Sequence, residues 1–582
     1  MPIKHVFNLT EFSAPSFLLS AFIRKETYLL DVEPLFSPSR KLLDPLKDWL
    51  LSTGRVRRVV TLVPNLEHVY LGGGEVYLYN TFGKIEQWQN RHFRFESVAR
   101  NLPRYAAAYR SLICGQLRNR YPAILILDAL YKRSGEDRDL RLRGLSPVLQ
   151  AASHAYGNRD IANANRILEL VYAVMNVGVA VMLSTYSIAW ALIRTRLTKS
   201  EPEAFHWGVT YYDNDLVADL INVSNIPPLL VIWRQTGSSR EQETLRKNAH
   251  CRYGDGRLSL REGLAVLRFI ICDAARLMSV LTVTQPNYFF RSMTMIHRRV
   301  QMRALFARYK VKFFYSRDED LFDHIIRHHE LKRIGALSFG NLHGVPHQAN
   351  LRATFRYISF DRFYVQSRAI CRHYSDTWPK DMEIVPVAPS VITKGEEIKA
   401  PDAKPADIAI LAGMYTGNPA FANIVRDLAK AFPEKKIWLQ IKRNYAKWHG
   451  EEFARECSHG LPNVIYTKDT LFQVLQRSRY AVSDASNAAL DSLFMNIVTF
   501  VADVSDVHEE CIFRDYPGFC IETAESVVSY IREIEAGATT FDMRRFDDLV
   551  YLTAPTVQER LGVDMNLAKV APDPIIKPSM VE

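Results

Sequence analysis

From residue 406 to residue 502 the chain repeats one rhythm. A short run of branched apolar residues is followed by a helix-forming stretch, and then by another apolar run. "ADIAILAG" leads into "NPAFANIVRDLAKAF", "KKIWLQIK" into "GEEFARECS", and "NVIYT" into "TLFQVLQRS"; "YAVSDAS" leads into "NAALDSLFMN", which ends at "IVTFVAD". Nothing else in the sequence narrows the fold as much. Strands separated by helices cannot form hairpins, so they pair in parallel through crossovers. A parallel sheet is covered on both faces, which is why its strands read as unbroken apolar runs instead of alternating ones. The expectation is a doubly wound α/β domain over about 406–540, with any ligand outside the carboxyl ends of its strands.

The same rhythm occurs near the amino terminus. "SFLLSAFI" reads as helix, "ETYLLDVEP" as strand, "RKLLDPLKDWLLSTG" as amphipathic helix and "VRRVVTLVP" as strand. Residues 95–300 read as mostly helical, with "HWGVTYY" and "PPLLVIW" as strand-like interruptions. Strands resume at "VKFFYS", "RIGALSFGNLHG" and "RFYVQS", and the Pro- and Lys-rich stretch 386–405 reads as a linker. The expected organisation is an α/β domain over 1–390 with a helical insertion at about 95–300, a linker at 391–405, the second α/β domain at 406–540, and a tail at 541–582. A chain of 582 residues, 48% hydrophobic and 24% charged, suits two or three well-cored domains.

Charge and cysteine usage narrow the surroundings. The seven cysteines form no C-x-x-C pair, and "MPIKHVFNLTEF" carries no signal-peptide apolar region, so the expected location is cytoplasmic. The net charge of +11 is concentrated in arginines between Arg55 and Arg143. These either form a solvated face or meet an anionic acceptor or membrane surface at the inner face of the cell membrane. No nucleic-acid module accompanies them, so nucleic acid is not an expected partner. Leu170 to Ile193 is a 24-residue stretch with no charge, long enough to span a bilayer. It is rich in small residues and has no second span beside it, so it is expected as a buried central helix, with membrane contact as the alternative. His324, His328 and His329 share helical spacing and are read as a solvated helix face; no metal site is expected. The nearest D-x-D pair, Asp213 and Asp215, lies in the helical region.

Three clusters fall where strands of the second α/β domain hand over to helices. Ser483, Asp484, Ser486 and Asn487 follow "YAVS" and open a helix. Small hydroxylated residues there let backbone N–H groups face an anion, which the helix N-terminus also attracts. Simple N-capping by Asp484 or Ser486 is the plainer reading. Gly413, Thr416 and Gly417 lie in the first strand-to-helix turn, and Lys442 and Arg443 follow the second strand.

"VSDASNAALDSLFMNIVTFV" resembles the "TDYSS…D" signature of CDP-glycerol glycerophosphotransferases and related capsule-polysaccharide glycosyltransferases. Ser483 stands at the threonine, Asp484 at the aspartate, Ser486 at the first serine and Asp491 at the late acidic position. Asn487 replaces the second serine and Ala485 the aromatic residue. "NLHGVPHQANLRATFRYISFDRFYVQS" resembles the same enzymes' "WHGTPLK" turn, with His343, Gly344 and Pro346 in place and Leu342 at the tryptophan. The His-Pro that related enzymes carry near Lys442 and Arg443 is absent. The resemblance covers about residues 310–535. It implies a GT-B-like pair of Rossmann-like domains, the first on the acceptor side and the second holding a nucleotide-activated sugar. It implies a glycosyltransferase of bacterial surface-carbohydrate assembly with a cytidine-activated donor such as CMP-Kdo or a CMP-nonulosonic acid. The alternatives are a CDP-glycerol or CDP-polyol phosphotransferase and, from another class, a non-catalytic membrane-associated scaffold. On this reading His343 is the base or a donor to phosphate, with Asp318 or Glu319 as the other candidate base. Gly344, Gly413, Thr416, Lys442, Arg443, Ser483, Asp484, Ser486 and Asn487 hold the donor. The acceptor would be a glycan, a lipid-linked glycan or a protein, and neither a cofactor nor a metal is implied.

Overall fold

Every strand pairing among the described residues is parallel, across three larger sheets and one two-strand ladder. The structure is a computed structural model. It describes residues 4–7, 14–23, 26–30, 37–59, 92–118, 140–143, 166–196, 202–210, 229–232, 251–253, 256–281, 286–317, 321–342, 357–374, 378–389, 398–400, 403–413, 415–442, 450–504, 512–551 and 554–565, with a few single residues between.

The first sheet is small. Its strands are β1 (Lys4–Phe7), β2 (Thr27–Leu29), β3 (Arg57–Arg58) and β4 (Leu140–Arg143), in the order β3-β2-β1-β4. Helices α1 (Ala14–Ile23) and α2 (Ser37–Ser52) cover one face, burying Phe17 and Leu50 against Phe7 and Leu29. Val6, Tyr28 and Leu30 on the other face join a core shared with a helical layer. That layer contains α3 (Arg166–Arg194), α4 (Leu260–Leu281) and α5 (Pro286–Arg308). A two-strand ladder, β5 (Thr195–Arg196) with β9 (Leu258–Ser259), ties the end of α3 to the start of α4.

The second sheet has seven strands. In chain order they are β6 (Glu203–Thr210), β7 (Leu229–Ile232), β8 (Cys251–Tyr253), β10 (Tyr309–Ser316), β11 (Leu337–Asn341), β12 (Arg362–Val365) and β13 (Glu383–Pro386). They lie in the order β13-β12-β11-β10-β6-β7-β8, so the winding direction reverses between β6 and β10. Helix α6 (Asp323–Ile334) connects β10 to β11.

The third sheet is built the same way. Its strands are β14 (Ile408–Ala412), β15 (Ile437–Ile441), β16 (Val464–Thr467), β17 (Tyr480–Ser483), β18 (Val498–Ala502) and β19 (Cys520–Ile521), in the order β16-β15-β14-β17-β18-β19. This is the doubly wound order, with its reversal between β14 and β17. All five residues of β14 are buried, as a strand flanked on both sides and covered on both faces requires. Helix α7 (Pro419–Ala431) follows β14. Asn418 caps it, accepting from the Ala420 and Phe421 amides at 2.8 and 3.3 Å, and Pro419 takes the first helical position, where its missing N–H costs nothing. Helix α8 (Asn487–Phe494) follows β17. Beyond this sheet the chain returns as α9 (Val557–Asp564), whose Val557 and Leu561 pack on Trp207, Tyr315, Phe339 and Tyr364 of the second sheet.

The second and third sheets are two Rossmann-like parallel α/β units. The first sheet is expected from the sequence to continue into the strands after residue 300, but among the described residues it forms no ladder with them. "HWGVTYY" and "PPLLVIW", read as interruptions of a helical stretch, supply β6 and β7, and β6 lies near the middle of the second sheet. Helix α3 is not a buried central helix: only 22% of its most apolar window is buried, and Leu170, Val174, Val181 and Ile193 are more than half exposed. His324 and His328 are buried, so α6 does not present a solvated histidine face; His329 alone is exposed. Its polar residues are partnered inside the protein, where hydrophobic periodicity could not register them.

Candidate functional site

Two turns meet at the reversal point of the third sheet. β14 and β17 are neighbours, with Leu411 beside Ser483. Each strand ends there and its chain turns outward into a helix, α7 after one and α8 after the other. The two turns are bonded directly: the Gly413 N–H donates to Asp484 Oδ2 at 2.8 Å, and the Asp484 N–H donates to the Leu411 carbonyl at 3.1 Å. A Cβ on residue 413 would lie 2.8 Å from that same carboxylate oxygen, so only glycine leaves the Asp484 side chain its position. Asp484 is 1% exposed. The resemblance implies a donor-binding role, yet this oxygen is turned inward onto the neighbouring turn, which makes Asp484 a brace between the two turns.

The residues around that brace reach the surface. Ser486 stands at the N-cap of α8 in an extended conformation and makes no side-chain cap hydrogen bond. Its hydroxyl lies 3.5 Å from that of Ser483. Ser486 and Asn487 are half-buried at the crevice, whereas Ser483 is fully buried. Capping by Ser486, the plainer reading, therefore does not occur; the cap at α7 shows the contrast, because Asn418 spends its side chain on that helix's own amides. Thr416 closes its own turn, donating from Oγ1 to the Gly413 carbonyl at 2.7 Å. Gly417, at φ +86°, allows the chain to swing into α7. The Lys442 N–H donates to the Ala412 carbonyl at 2.8 Å, which holds this exposed lysine at the end of β15 beside the Gly413 turn.

The opposite wall comes from the second sheet. Ala485, Ala489, Leu490 and Leu493 of the α8 segment share one buried cluster with Leu342, Ile358, Phe360 and Phe363. The α8 segment and the residue that follows β11, Leu342, thus share one core, and His343 and Gly344 are the next residues in sequence. In sequence, Asp318 and Glu319 come shortly after β10, the strand at the reversal point of the second sheet. His343, Gly344, Asp318, Glu319 and Arg443 lie outside the described residues, as do Asp213 and Asp215. Among the described residues no group of three or more His, Cys, Asp or Glu side chains is placed to hold a metal ion.

One interaction at this site left no trace in the sequence reading, namely the bond from Gly413 to Asp484. The glycine after the first strand of a doubly wound order is where such an approach is expected, but its partner lies 71 residues away.

No protein-family description matches the chain, and no curated protein does. Solved structures are similar to it at low levels. An O-GlcNAc transferase variant from Thermobaculum terrenum matches with 9% identity and a TM-score of 0.31, over 90% of this chain and 95% of that one. A lipopolysaccharide outer core galactosyltransferase matches with 12% identity and a TM-score of 0.33, over 63% of this chain and 100% of that one. A UDP-GlcNAc 2-epimerase from Neisseria meningitidis, bound to UDP-GlcNAc, matches with 9% identity and a TM-score of 0.37, over 63% of this chain and 99% of that one. At these scores the likenesses say nothing of chemistry.

Proposed function

We propose that the protein is a glycosyltransferase of bacterial surface-carbohydrate assembly that uses a nucleotide-activated sugar, with a cytidine nucleotide as the donor base. The observation that carries this reading is the convergence at the reversal point of the third sheet. The Gly413 turn, the exposed Lys442 and the α8 start, whose N-cap Ser486 makes no side-chain cap hydrogen bond, lie together at the carboxyl ends of β14, β15 and β17. A donor phosphate in that crevice accepts from the first N–H groups of α8, with Ser486 and Asn487 adding side-chain donors. Lys442, and Arg443 beside it in sequence, neutralise charge as the nucleotide departs. The bond broken is that from the anomeric carbon to the phosphate oxygen, which leaves with the electron pair. The bond formed joins an acceptor hydroxyl oxygen to the same carbon, and a base takes the hydroxyl proton. His343 is assigned as that base, with Asp318 or Glu319 as the alternative. The cytidine preference rests on the resemblance of "VSDASNAALDS" alone. The nucleotide-sugar reading rests on the crevice as well.

The test is a thermal-shift series with CMP, CDP, UDP and GDP on wild type and on Ser486→Ala. Cytidine nucleotides should stabilise most, and the variant should lose much of that shift at an unchanged ligand-free midpoint. A larger shift with UDP or GDP overturns the cytidine assignment, and no shift with any of the four overturns the nucleotide site. His343→Ala should lower turnover by about 100- to 10,000-fold while sparing nucleotide affinity. If affinity falls in step with turnover, His343 is a donor to phosphate; full turnover removes it from the chemistry.

A further inference from the structure

Helix α3 is anchored along one narrow stripe. Asn176, Val179, Ala180, Leu183, Ser187 and Ala191 are buried at three- and four-residue spacing, the seam of a helix packed on its neighbours. Those neighbours are α4 and α5. Ser187 hydrogen-bonds His297 of α5 at 3.2 Å, and a Cβ on Gly263 of α4 would fall 2.5 Å from Thr195 Oγ1 at the end of α3. Away from that stripe much of the described surface of the helix is exposed. Leu170, Val174, Val181, Met182, Tyr186, Leu192 and Ile193 are each at least half exposed, and no charged residue lies between Glu169 and Arg194. At 29 residues, α3 is about 40 Å long. Water does not leave such a face bare without reason, since contiguous apolar patches of this extent mark interaction sites.

Helix α4 extends the face and gives it a border. Phe269 and Asp273 turn toward Arg299 of α5, and Gly263 turns toward α3. On the helical wheel the exposed Leu260, Leu264 and Ile271 fall on the α3 side of the open surface, and Arg261, Arg268 and Arg276 fall beyond them. The result is an apolar band with a row of exposed arginines along one edge. Among the described exposed residues of α3 and α4 there is no acidic side chain.

We infer that this face docks, lying flat, on an anionic lipid bilayer. Charge decides among the possible occupants. A two-fold contact between copies would set the same patch against itself, and among the described exposed residues of α3 and α4 no acid on either copy answers the other's arginines, whichever edges meet. An anionic headgroup layer matches the arginine row, while the apolar band enters the boundary between headgroups and acyl chains. Spanning is excluded by the seam, because α3 would have to leave α4 and α5 to cross the bilayer. Trp190, with the Arg194 guanidinium 5.3 Å from its ring centre, and the half-exposed Tyr186 are residue types that settle at the interface between headgroups and tails. The inference does not depend on the transferase reading.

The test is vesicle flotation of the full chain without nucleotide, using phosphatidylglycerol–phosphatidylcholine vesicles and pure phosphatidylcholine vesicles. Wild type should float with the anionic vesicles at least tenfold better than with the neutral ones, and high salt should release it. Val181→Glu with Met182→Glu, and separately Leu264→Glu with Ile271→Glu, should abolish flotation; all four positions are exposed, so either pair can stand if the other fails to fold. Arg268→Glu with Arg276→Glu should reduce flotation about tenfold or more. Absence of flotation, equal flotation with neutral vesicles, or retention after a high-salt, alkaline wash overturns the inference. So does a dimer in solution that Val181→Glu with Met182→Glu dissociates. Because no nucleotide is present, failure here leaves the thermal-shift test untouched.

Discussion

Gly413 and Asp484 form a pair in which neither residue tolerates change independently. Replacing Asp484 by alanine leaves the buried Gly413 N–H without its acceptor, at a cost of about 1–3 kcal/mol. Gly413→Ala places a methyl 2.8 Å from an Asp484 carboxylate oxygen and displaces that carboxylate from the Gly413 amide. Both variants should unfold at lower urea concentration and bind nucleotide more weakly. Ser486→Ala should behave differently. Its hydroxyl caps nothing, so urea midpoints should change by less than about 0.5 kcal/mol in free energy, while nucleotide affinity falls several-fold. If Ser486→Ala destabilises as much as Asp484→Ala, the hydroxyl is structural and the assignment of the α8 start fails. That a polar cluster sits at this strand end is readable in "VSDASN". Which member faces the crevice is not, because the direction of Asp484 is set by an amide on the neighbouring turn.

At the scale of the element, α6 carries more of the architecture than its composition announces. The Glu330 side chain, 3% exposed, receives Arg299 Nε at 3.1 Å, Arg303 Nε at 2.7 Å and Arg333 Nε at 2.9 Å. Arg299 continues to Asp273 of α4 at 3.0 Å, and Tyr105 donates to the same carboxylate at 2.9 Å. One carboxylate thus holds α6 to α5, and through Arg299 to α4. Glu330→Gln leaves three guanidinium groups facing a neutral amide, and equilibrium unfolding should show a loss of roughly 3–5 kcal/mol. A loss below 1 kcal/mol would mean the network is water-screened. His328, in the same helix, bonds Ser338 Oγ through Nδ1 at 2.6 Å. Burial first, and then Lys332, lowers its pKa from 6.5 to about 3. Below pH 6.5 the unfolded chain takes up a proton that the folded chain refuses, so stability falls as pH drops from 6.5 toward 3. Burial, reinforced by Arg94, lowers His92 to about 4, and burial with Arg298 lowers His297 to about 4, adding to the same trend. The melting temperature should therefore decline steadily from pH 6.5 to pH 4.5, and His328→Asn should flatten that slope. An unchanged slope in the variant would place the titration elsewhere.

At the scale of the molecule, α9 joins the third sheet's end of the chain to the second sheet. Tyr364 donates to Asp564 Oδ2 at 2.7 Å, and Arg362 reaches Asp564 Oδ1 at 2.8 Å. The Ala388 amide donates to the Pro555 carbonyl at 2.9 Å, just before the helix. Leu561 is fully buried among the aromatic residues of the second sheet. Leu561→Ala should cost about 2–5 kcal/mol. Combined with Asp564→Ala, it should split urea unfolding into two transitions as the units lose their tie. A single transition at the wild-type midpoint would show that the shared core containing Leu342 and Ala485 suffices alone.

The βαβ rhythm after residue 406 was legible because a covered parallel strand must be apolar throughout, and composition records that directly. The polar strand ends, the glycine turns and the "NP" helix start were legible for a similar reason, since local backbone chemistry demands those residue types. Which strands share a sheet was not legible. β1 and β10 carry similar patterns, and only the packing of α3, α4 and α5 separates them into different sheets. The burial of α3 was not legible either. An uncharged helix reads the same whether its apolar face meets protein or is left open, and only the tertiary structure shows that its neighbours cover one stripe and leave the rest bare. Asp484 and Glu330 make the same point in polar chemistry. Residue type says that a buried carboxylate needs partners, but the partners come from elsewhere in the chain, so the assembled fold alone decides what each carboxylate holds.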